Sequence, residues 1–335
     1  MLARAWPSLA FENGSARNFE DVVARPILRF SRLPLDLPIV ALGVVPGINP
    51  AHVLAATLDR LLFSGQTLAD HPDAPRFTFN AAHVATGTSW RFSKPYMGTY
   101  RVGLIRNPTV RVADAVAASA AFPPIVSPFV LRTSPEAFVQ TPGADLYTRT
   151  ELRERALLLD GGAYDNLGVQ TLSERVETLL VSDGGGNLGI DTGRWKFALR
   201  SIQLRRVLDM SVEQGRDLRR SALVRRARAR EFTLALWRTT SDPTGFTART
   251  PFTVSEGWRA YLSTRKTRMW TPGAIARDAL VDWGYLASDL ALRSYVFSGA
   301  QEPTSLPMGT DFTQPPPTDE RVGGQPRDED EREPG

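Results

Sequence analysis

The chain has 335 residues, 42% of them apolar, with 26 glycines, 25 prolines and no cysteine. That length holds one large domain or two ordinary ones, with apolar side chains enough for a packed core, and the lack of cysteine excludes disulfides and cysteine-ligated metal sites and fits a reducing compartment. The net charge of +4 is mild, but it is uneven: lysine occurs only at Lys94, Lys196 and Lys266, the remaining positive charge is arginine, arginines crowd the stretch from Arg216 to Arg230, and the stretch from Asp319 to Glu333 is acidic. A G- and C-rich genome produces the arginine bias without any function.

The first residues, Met1-Leu2-Ala3-Arg4-Ala5-Trp6-Pro7, lack the charged-then-apolar build of a signal peptide. The longest apolar run, Leu37 to Ile48, is interrupted by Pro38, Gly43, Pro46 and Gly47 and is too short and broken to span a bilayer. The expectation is a cytoplasmic protein or one peripheral to a membrane. Residues 1–50 read as irregular, with a helix across Asn18–Phe30. Ala51–Phe63 reads as an amphipathic helix with Val53, Leu54, Leu58, Leu61 and Leu62 on one side. Arg76–Ala81 and Ser89–Ser93 alternate apolar and polar residues around Thr86-Gly87-Thr88, the pattern of a β-hairpin. Arg111–Ala121 is a helix of small residues stopped by Phe122-Pro123-Pro124, since a proline pair cannot continue the hydrogen-bond ladder.

Further along, Ala156–Leu159 reads as a buried strand, Gln170–Glu177 as helix and Glu177–Val181 as another buried strand, an order that predicts a parallel crossover unit. An arginine-rich helical region covers about Trp195–Arg230. Trp270-Thr271-Pro272 reads as a helix start, with the helix running to about Phe297 and carrying Trp283, Tyr285, Leu286 and Leu290 inward. After Gln301 the composition is too polar to offset chain entropy and predicts disorder.

The string that carries chemistry is Leu157-Leu158-Leu159-Asp160-Gly161-Gly162-Ala163-Tyr164-Asp165-Asn166-Leu167-Gly168. A buried strand delivers Asp160 to a sharp turn. Burial raises a carboxylate's pKa, and the glycines permit backbone angles closed to other residues and leave room beside the acid. The plain alternative is that Asp160 only starts a turn, because Asp-Gly is common in turns.

The flanks of this turn resemble the patatin-like phospholipase family. Ala117-Ala118-Ser119-Ala120-Ala121-Phe122-Pro123-Pro124 is similar to the family's small-residue helix, Phe79-Asn80-Ala81 with Trp90-Arg91-Phe92-Ser93 to the hairpin before it, Val181-Ser182-Asp183-Gly184 to the strand end after the acid, and Asp282-Trp283-Gly284-Tyr285 to the closing helix of bacterial members. The resemblance covers roughly residues 10–298. It implies an α/β fold, three-layer α/β/α with a largely parallel central sheet, incomplete on its N-terminal side. It implies a domain over 1–300, truncated at its start and containing the arginine-rich helical region at 195–270, with a disordered tail at 301–335. It also implies lipid acyl hydrolysis by a Ser–Asp dyad. Asp160 would be the general base, Gly161 and Gly162 would shape the turn, and Asp165 and Asn166 would fix the following loop by side-chain hydrogen bonds.

The serine such an acid serves sits in Gly-x-Ser-x-Gly, and that string is absent from the chain. Gly87-Thr88-Ser89-Trp90-Arg91 has arginine at the second glycine and lies in a hairpin. Ser119 reads as packing, and Ser182 as a turn residue. No glycine-rich oxyanion loop precedes Gly87. The polypeptide is therefore expected to begin downstream of the nucleophile and to be inactive or nearly so. The three histidines, His52, His71 and His83, all precede Asp160, so the Ser–Asp–His order of an α/β-hydrolase cannot be met. Each reads as a surface or capping residue.

Two other signals compete. Gly184-Gly185-Gly186-Asn187-Leu188-Gly189 fits a dinucleotide-binding fingerprint but lacks a following helix and a later acidic strand end, so a nucleotide-binding enzyme is a weak alternative. Arg216–Arg230 could lie on anionic lipid, which would make the chain a non-catalytic peripheral lipid-surface protein; against this stands a solvated helix face with pairs from Arg216 or Arg219 to Asp217 or Glu213. The partners expected are a lipid or acyl-ester substrate and an anionic membrane surface, with no nucleic acid, and no cofactor or metal is implied.

Overall fold

The structure, a computed structural model, describes residues 1–43, 45–123, 126–172, 176–186, 200–265 and 273–317. Two compact units emerge: one mainly from the first 183 residues and 200–236, the other mainly from 237–265 and 273–317.

The first unit opens with α1 (Leu2–Ala5), a small ribbon of β1 (Phe11–Glu12) and β2 (Ser15–Ala16), a π-helical turn at Glu20–Ala24, α2 (Arg25–Phe30) and α3 (Asp36–Gly43). The helix expected over Asn18–Phe30 is thus present in two pieces. Helix α4 (Pro50–Leu58) starts where Asn49 accepts the Ala51 N–H at 2.8 Å and Pro50 supplies a ready-set first turn. It continues as a π-turn over Asp59–Phe63, and a left-handed Ser64 ends it.

The expected hairpin is present as β3 (Thr78–His83) and β4 (Thr88–Ser93), shifted by two residues at its start, with Ala81 facing Trp90. Short links then lead through β5 (Tyr96–Thr99) and β6 (Gly103–Arg106) to α5 (Val112–Ser119), β7 (Phe129–Arg132), β8 (Phe138–Val139), α6 (Thr150–Glu154) and β9 (Arg155–Asp160). One seven-stranded sheet results, in the order β7-β9-β3-β4-β5-β6-β8. Every one of its pairings is antiparallel. The fold is α/β as expected, but the largely parallel sheet is not what forms. From β3 to β6 the links are only a few residues long, and such links can join only antiparallel neighbours, whereas parallel ones need a long crossover; the pairings of β9 with β3 and β7 and of β6 with β8 join strands far apart in the chain.

Among the described residues the crossover unit does not form either. Beyond α7 (Gly162–Asp165), Gln170–Leu172 of the predicted helix Gln170–Glu177 are in turns, Val176 and Glu177 are not helical, and residues 173–175 lie outside the described set. Asp165 explains this locally: its carboxylate accepts the Gln170 N–H at 2.8 Å and wraps the chain back on itself. Strand β10 (Thr178–Asp183) then joins β11 (Thr233–Arg238), not β9. Helix α8 (Arg200–Arg228) lies within the expected helical region at 195–270, of which residues 195–199 lie outside the described set and Thr233–Arg238 form a strand instead; it lays Leu223 in a cluster with Leu179, Val181 and Phe232.

The core of the first unit is formed by Trp90, Phe92, Phe129, Leu54 and Leu158 with the alanines of α5. Those alanines set how near the helix comes to the sheet, because their small side chains let α5 press onto β3 and β9.

In the second unit α9 (Glu256–Ser263) and α10 (Ala274–Tyr295) pack Trp258, Leu262, Trp283, Leu286 and Leu290 together. Tyr285, expected inward, is exposed: it follows Trp283 by two positions and so lies on another face of the helix. The cap read at Trp270-Thr271-Pro272 lies outside the described residues. The stretch after Gln301 does not begin as disorder. Phe312 is buried between Trp258 and Trp283, the Trp258 indole donates to the Gln314 carbonyl at 2.7 Å, and Asp282 accepts the Met308 and Thr310 N–H groups at 2.7 and 2.8 Å. One aromatic anchor and one buried carboxylate order a segment whose average composition is poor in apolar residues. Residues 318–335 lie outside the described set.

Candidate active site around Asp160

Strand β9 runs between β7 and β3, and Asp160, its last residue, stands opposite Ala81. Two carbonyls from the end of the small-residue helix hold the backbone there. Ala121 accepts the Asp160 N–H at 3.0 Å and Ser119 accepts the Gly161 N–H at 3.1 Å. The carboxylate is half-buried and accepts the Gly162 N–H at 2.6 Å. Burial pushes its pKa above the ordinary carboxylate value, and the Gly162 hydrogen bond opposes that rise only in part. A carboxylate so placed is a better proton acceptor than a solvated one.

The glycines serve proximity rather than unusual backbone angles. Gly161 has φ −58° and ψ −29°, ordinary helical values. A side chain on it would nonetheless place Cβ 2.3 Å from the Asn80 carbonyl oxygen. At Gly162 a Cβ would lie 2.8 Å from Asn166 Oδ1 and 3.0 Å from Asp160 Oδ1. The expectation that these residues open forbidden angles is corrected, and the expectation that they leave room beside the acid is what the geometry uses.

Asp165 is buried, fixes the loop through Gln170, and faces Arg219 of α8 at 3.5 Å. The same arginine donates to the Tyr164 carbonyl. Asn166 lies against Gly162, and its side chain makes no hydrogen bond among the described residues. Asn80, which carried no role in the sequence, lines the turn from β3, and its side-chain oxygen is buried without a hydrogen-bond partner. Its only signal was its place in the hairpin string.

Among the described residues no serine hydroxyl hydrogen-bonds to Asp160. Ser119 reaches the site through its carbonyl. Ser89 lies in the hairpin as expected, whereas Ser182 lies within β10 and is exposed rather than being a turn residue. No group of three or more His, Asp or Glu side chains that could hold a metal ion occurs among the described residues.

Two of the histidines differ from expectation. His71 and His83 are buried, at 2% and 1% exposure, and only His52 is exposed. His83 packs on Trp90 with ring centroids 5.5 Å apart, and its Nδ1 joins a run of hydroxyls through Thr86 and Thr88 to Thr99. Burial drives its pKa down to about 4. A folded pKa below the unfolded one means that the unfolded chain takes up the proton first as pH falls. The fold should therefore lose about 2 kcal/mol from this group between pH 7 and pH 5. Urea unfolding at the two pH values, with His83→Gln as reference, checks this: the pH-dependent loss should shrink by that amount in the variant.

The arginine run is largely consumed internally. Arg216 is buried with Asp183 at 3.3 Å and also pairs with Glu213. Arg220 meets Asp217 at 2.8 Å and Asp183 at 3.8 Å, and Arg226 meets Glu231 at 2.6 Å. The pairing within the helix was expected, but the burial of Arg216 was not. Arg225, Arg228 and Arg230 are exposed. Of the glycine fingerprint, residues 187–189 lie outside the described set, and a Cβ on Gly186 would lie 2.6 Å from the Ser263 carbonyl oxygen. That glycine answers to close backbone packing.

Taken together, the first unit is an α/β domain that offers one partly desolvated carboxylate at the end of a central strand, braced by glycine contacts and backbone hydrogen bonds. Residues 10–173, just under half of the chain, match the family model for patatin-like phospholipase. A search of curated proteins returns no match. No helix among the described residues is long and apolar enough to cross a membrane.

Proposed function

We propose that this domain is the acid-bearing part of a lipid acyl hydrolase working through a Ser–Asp dyad, with Asp160 as the general base. The family suggests lipid acyl hydrolysis. The observation that carries the residue assignment is the half-buried Asp160 carboxylate, raised in pKa on a strand end that tolerates no side chain beside it. In the reaction Asp160 accepts the proton of a serine hydroxyl as its oxygen bonds to the ester carbonyl carbon. The resulting oxyanion is held by backbone N–H donors, and the proton passes to the departing alcohol; water then releases the acid by the same route.

The 335 residues contain no Gly-x-Ser-x-Gly, so we infer that this polypeptide by itself is inactive, since a lone base cannot carry out covalent acyl transfer. The purified chain should neither hydrolyse short-chain nitrophenyl esters or phospholipid vesicles nor be labelled by a fluorophosphonate. A product extended by joining to this chain a segment that carries a serine elbow and oxyanion donors should do both, and Asp160→Asn should remove its turnover. Labelling of the 335-residue chain itself, or full activity of the extended Asp160→Asn product, overturns the assignment. The exposed Arg225, Arg228 and Arg230 support peripheral contact with anionic lipid as part of the same reading. In the vesicle assay that contact should appear as salt-sensitive co-sedimentation, and its absence at low salt discards it.

A further inference from the structure

At the end of β9 remote from Asp160 the sheet carries an arrangement that the acyl-hydrolase reading does not use. Antiparallel pairing of β7 with β9 sets Arg132 directly opposite Arg155. Like charges placed so are destabilising, because directly opposed side chains leave the backbone only about 5 Å apart. Both arginines are exposed, and neither makes an ion pair or a side-chain hydrogen bond among the described residues. Glu154, the adjacent acid, pairs with neither. Strand β7 is an edge strand, so the cost is not forced by a crowded interior.

The two arginines border a cleft of about 410 Å³ that also receives Asn49, His52, Arg111 and Asp114. The one carboxylate in this lining is already taken: Arg111 grips Asp114 with two hydrogen bonds, of 2.9 and 2.8 Å. His52, which also lines the cleft, lies on Phe129 with ring centroids 4.6 Å apart. Two arginines at facing strand positions therefore border the cleft with no free carboxylate in its lining.

We propose that this cleft binds a phosphate group, held between the Arg132 and Arg155 guanidinium groups. A tetrahedral dianion matches both the charge and the geometry. Guanidinium presents paired N–H donors to phosphate oxygens, and two of them on neighbouring strands can share one phosphate. The cleft is larger than phosphate alone needs, so it accommodates a phosphomonoester, either soluble or a lipid headgroup. Arg155 and Asp160 are the two ends of β9, about 16 Å apart along an extended strand. A phosphate held here is thus separate from an ester attacked beside Asp160, and the proposal stands whether or not the hydrolase reading does.

The test uses the full chain and measures binding rather than turnover. Calorimetry with inorganic phosphate, at ionic strength matched with sodium chloride, should show saturable binding, and thermal melting should show a phosphate-dependent rise in Tm. Arg132→Gln and Arg155→Gln should each weaken binding at least tenfold. Without phosphate, neither should lower Tm, because each removes a repulsion. Absence of saturable binding, affinity unchanged from the parent chain in both variants, or a lowered phosphate-free Tm in both overturns the proposal. Glycerol phosphate and phosphatidylcholine vesicles with or without phosphatidic acid separate the sources. Pelleting that requires phosphatidic acid and is lost in the variants identifies a headgroup site, and glycerol phosphate binding without pelleting identifies a soluble ligand.

Discussion

Asp183→Asn is expected to destabilise the protein by about 3 kcal/mol. The Asp183 and Arg216 side chains are 3% and 5% exposed and lie 3.3 Å apart. Removing one partner of a buried pair leaves the other charge desolvated, a change that costs roughly 3–5 kcal/mol in such sites. The lower end applies here because Glu213 still faces Arg216. The loss should appear as a lowered urea midpoint with an unchanged slope. Replacing both members by apolar residues, as in Asp183→Leu with Arg216→Met, should recover most of it, since the pair's net worth against a well-packed apolar substitute is small. A single variant as stable as the parent would show that this pair does not secure α8 to the end of β10.

Gly161→Ala should cost about 3 kcal/mol, the upper part of the range for overpacking. Alanine is comfortable at the backbone angles of Gly161 and would, by those angles alone, stabilise through the unfolded chain. The cost comes from the collision of its Cβ with the Asn80 carbonyl, 2.3 Å away. Both the turn and β3 are tied into the sheet by backbone hydrogen bonds, so no flexible side-chain end is available to move aside. Gly184→Ala is the matched control. A Cβ there meets nothing within 4 Å, and the change should be within about 1 kcal/mol of neutral or slightly stabilising. Equal midpoints for the two variants would remove the close-approach explanation of the Asp-Gly-Gly turn.

These two sites mark where the sequence was legible and where it was not. The hairpin of β3 and β4, the helix α5 and the delivery of Asp160 by a buried strand all follow from local patterns: two-residue alternation, a proline stop, and an apolar run ending in Asp-Gly-Gly. The direction of the sheet did not follow, because alternation along one strand says nothing of its neighbours' direction. The reason for Gly161 was also hidden, since its constraint is the carbonyl of Asn80 in a strand far earlier in the chain. Charge patterning failed most sharply at Arg216. Its helical pairing with Glu213 is visible as a three-residue spacing, whereas its buried partner Asp183 is 33 residues away. The histidines failed for the same reason: burial of His71 and His83 is a property of the packed sheet, not of their neighbours in sequence.

The contact of Arg219 with Tyr164 joins residues 55 positions apart, and this ordering bears on biosynthesis. The segment carrying Asp160 leaves the ribosome well before the helix that steadies its outer side has been made. Until α8 emerges and docks, the nascent turn lacks the guanidinium contacts to Tyr164 and Asp165, so its final conformation is completed late, in keeping with the slow formation of contacts between distant stretches of chain.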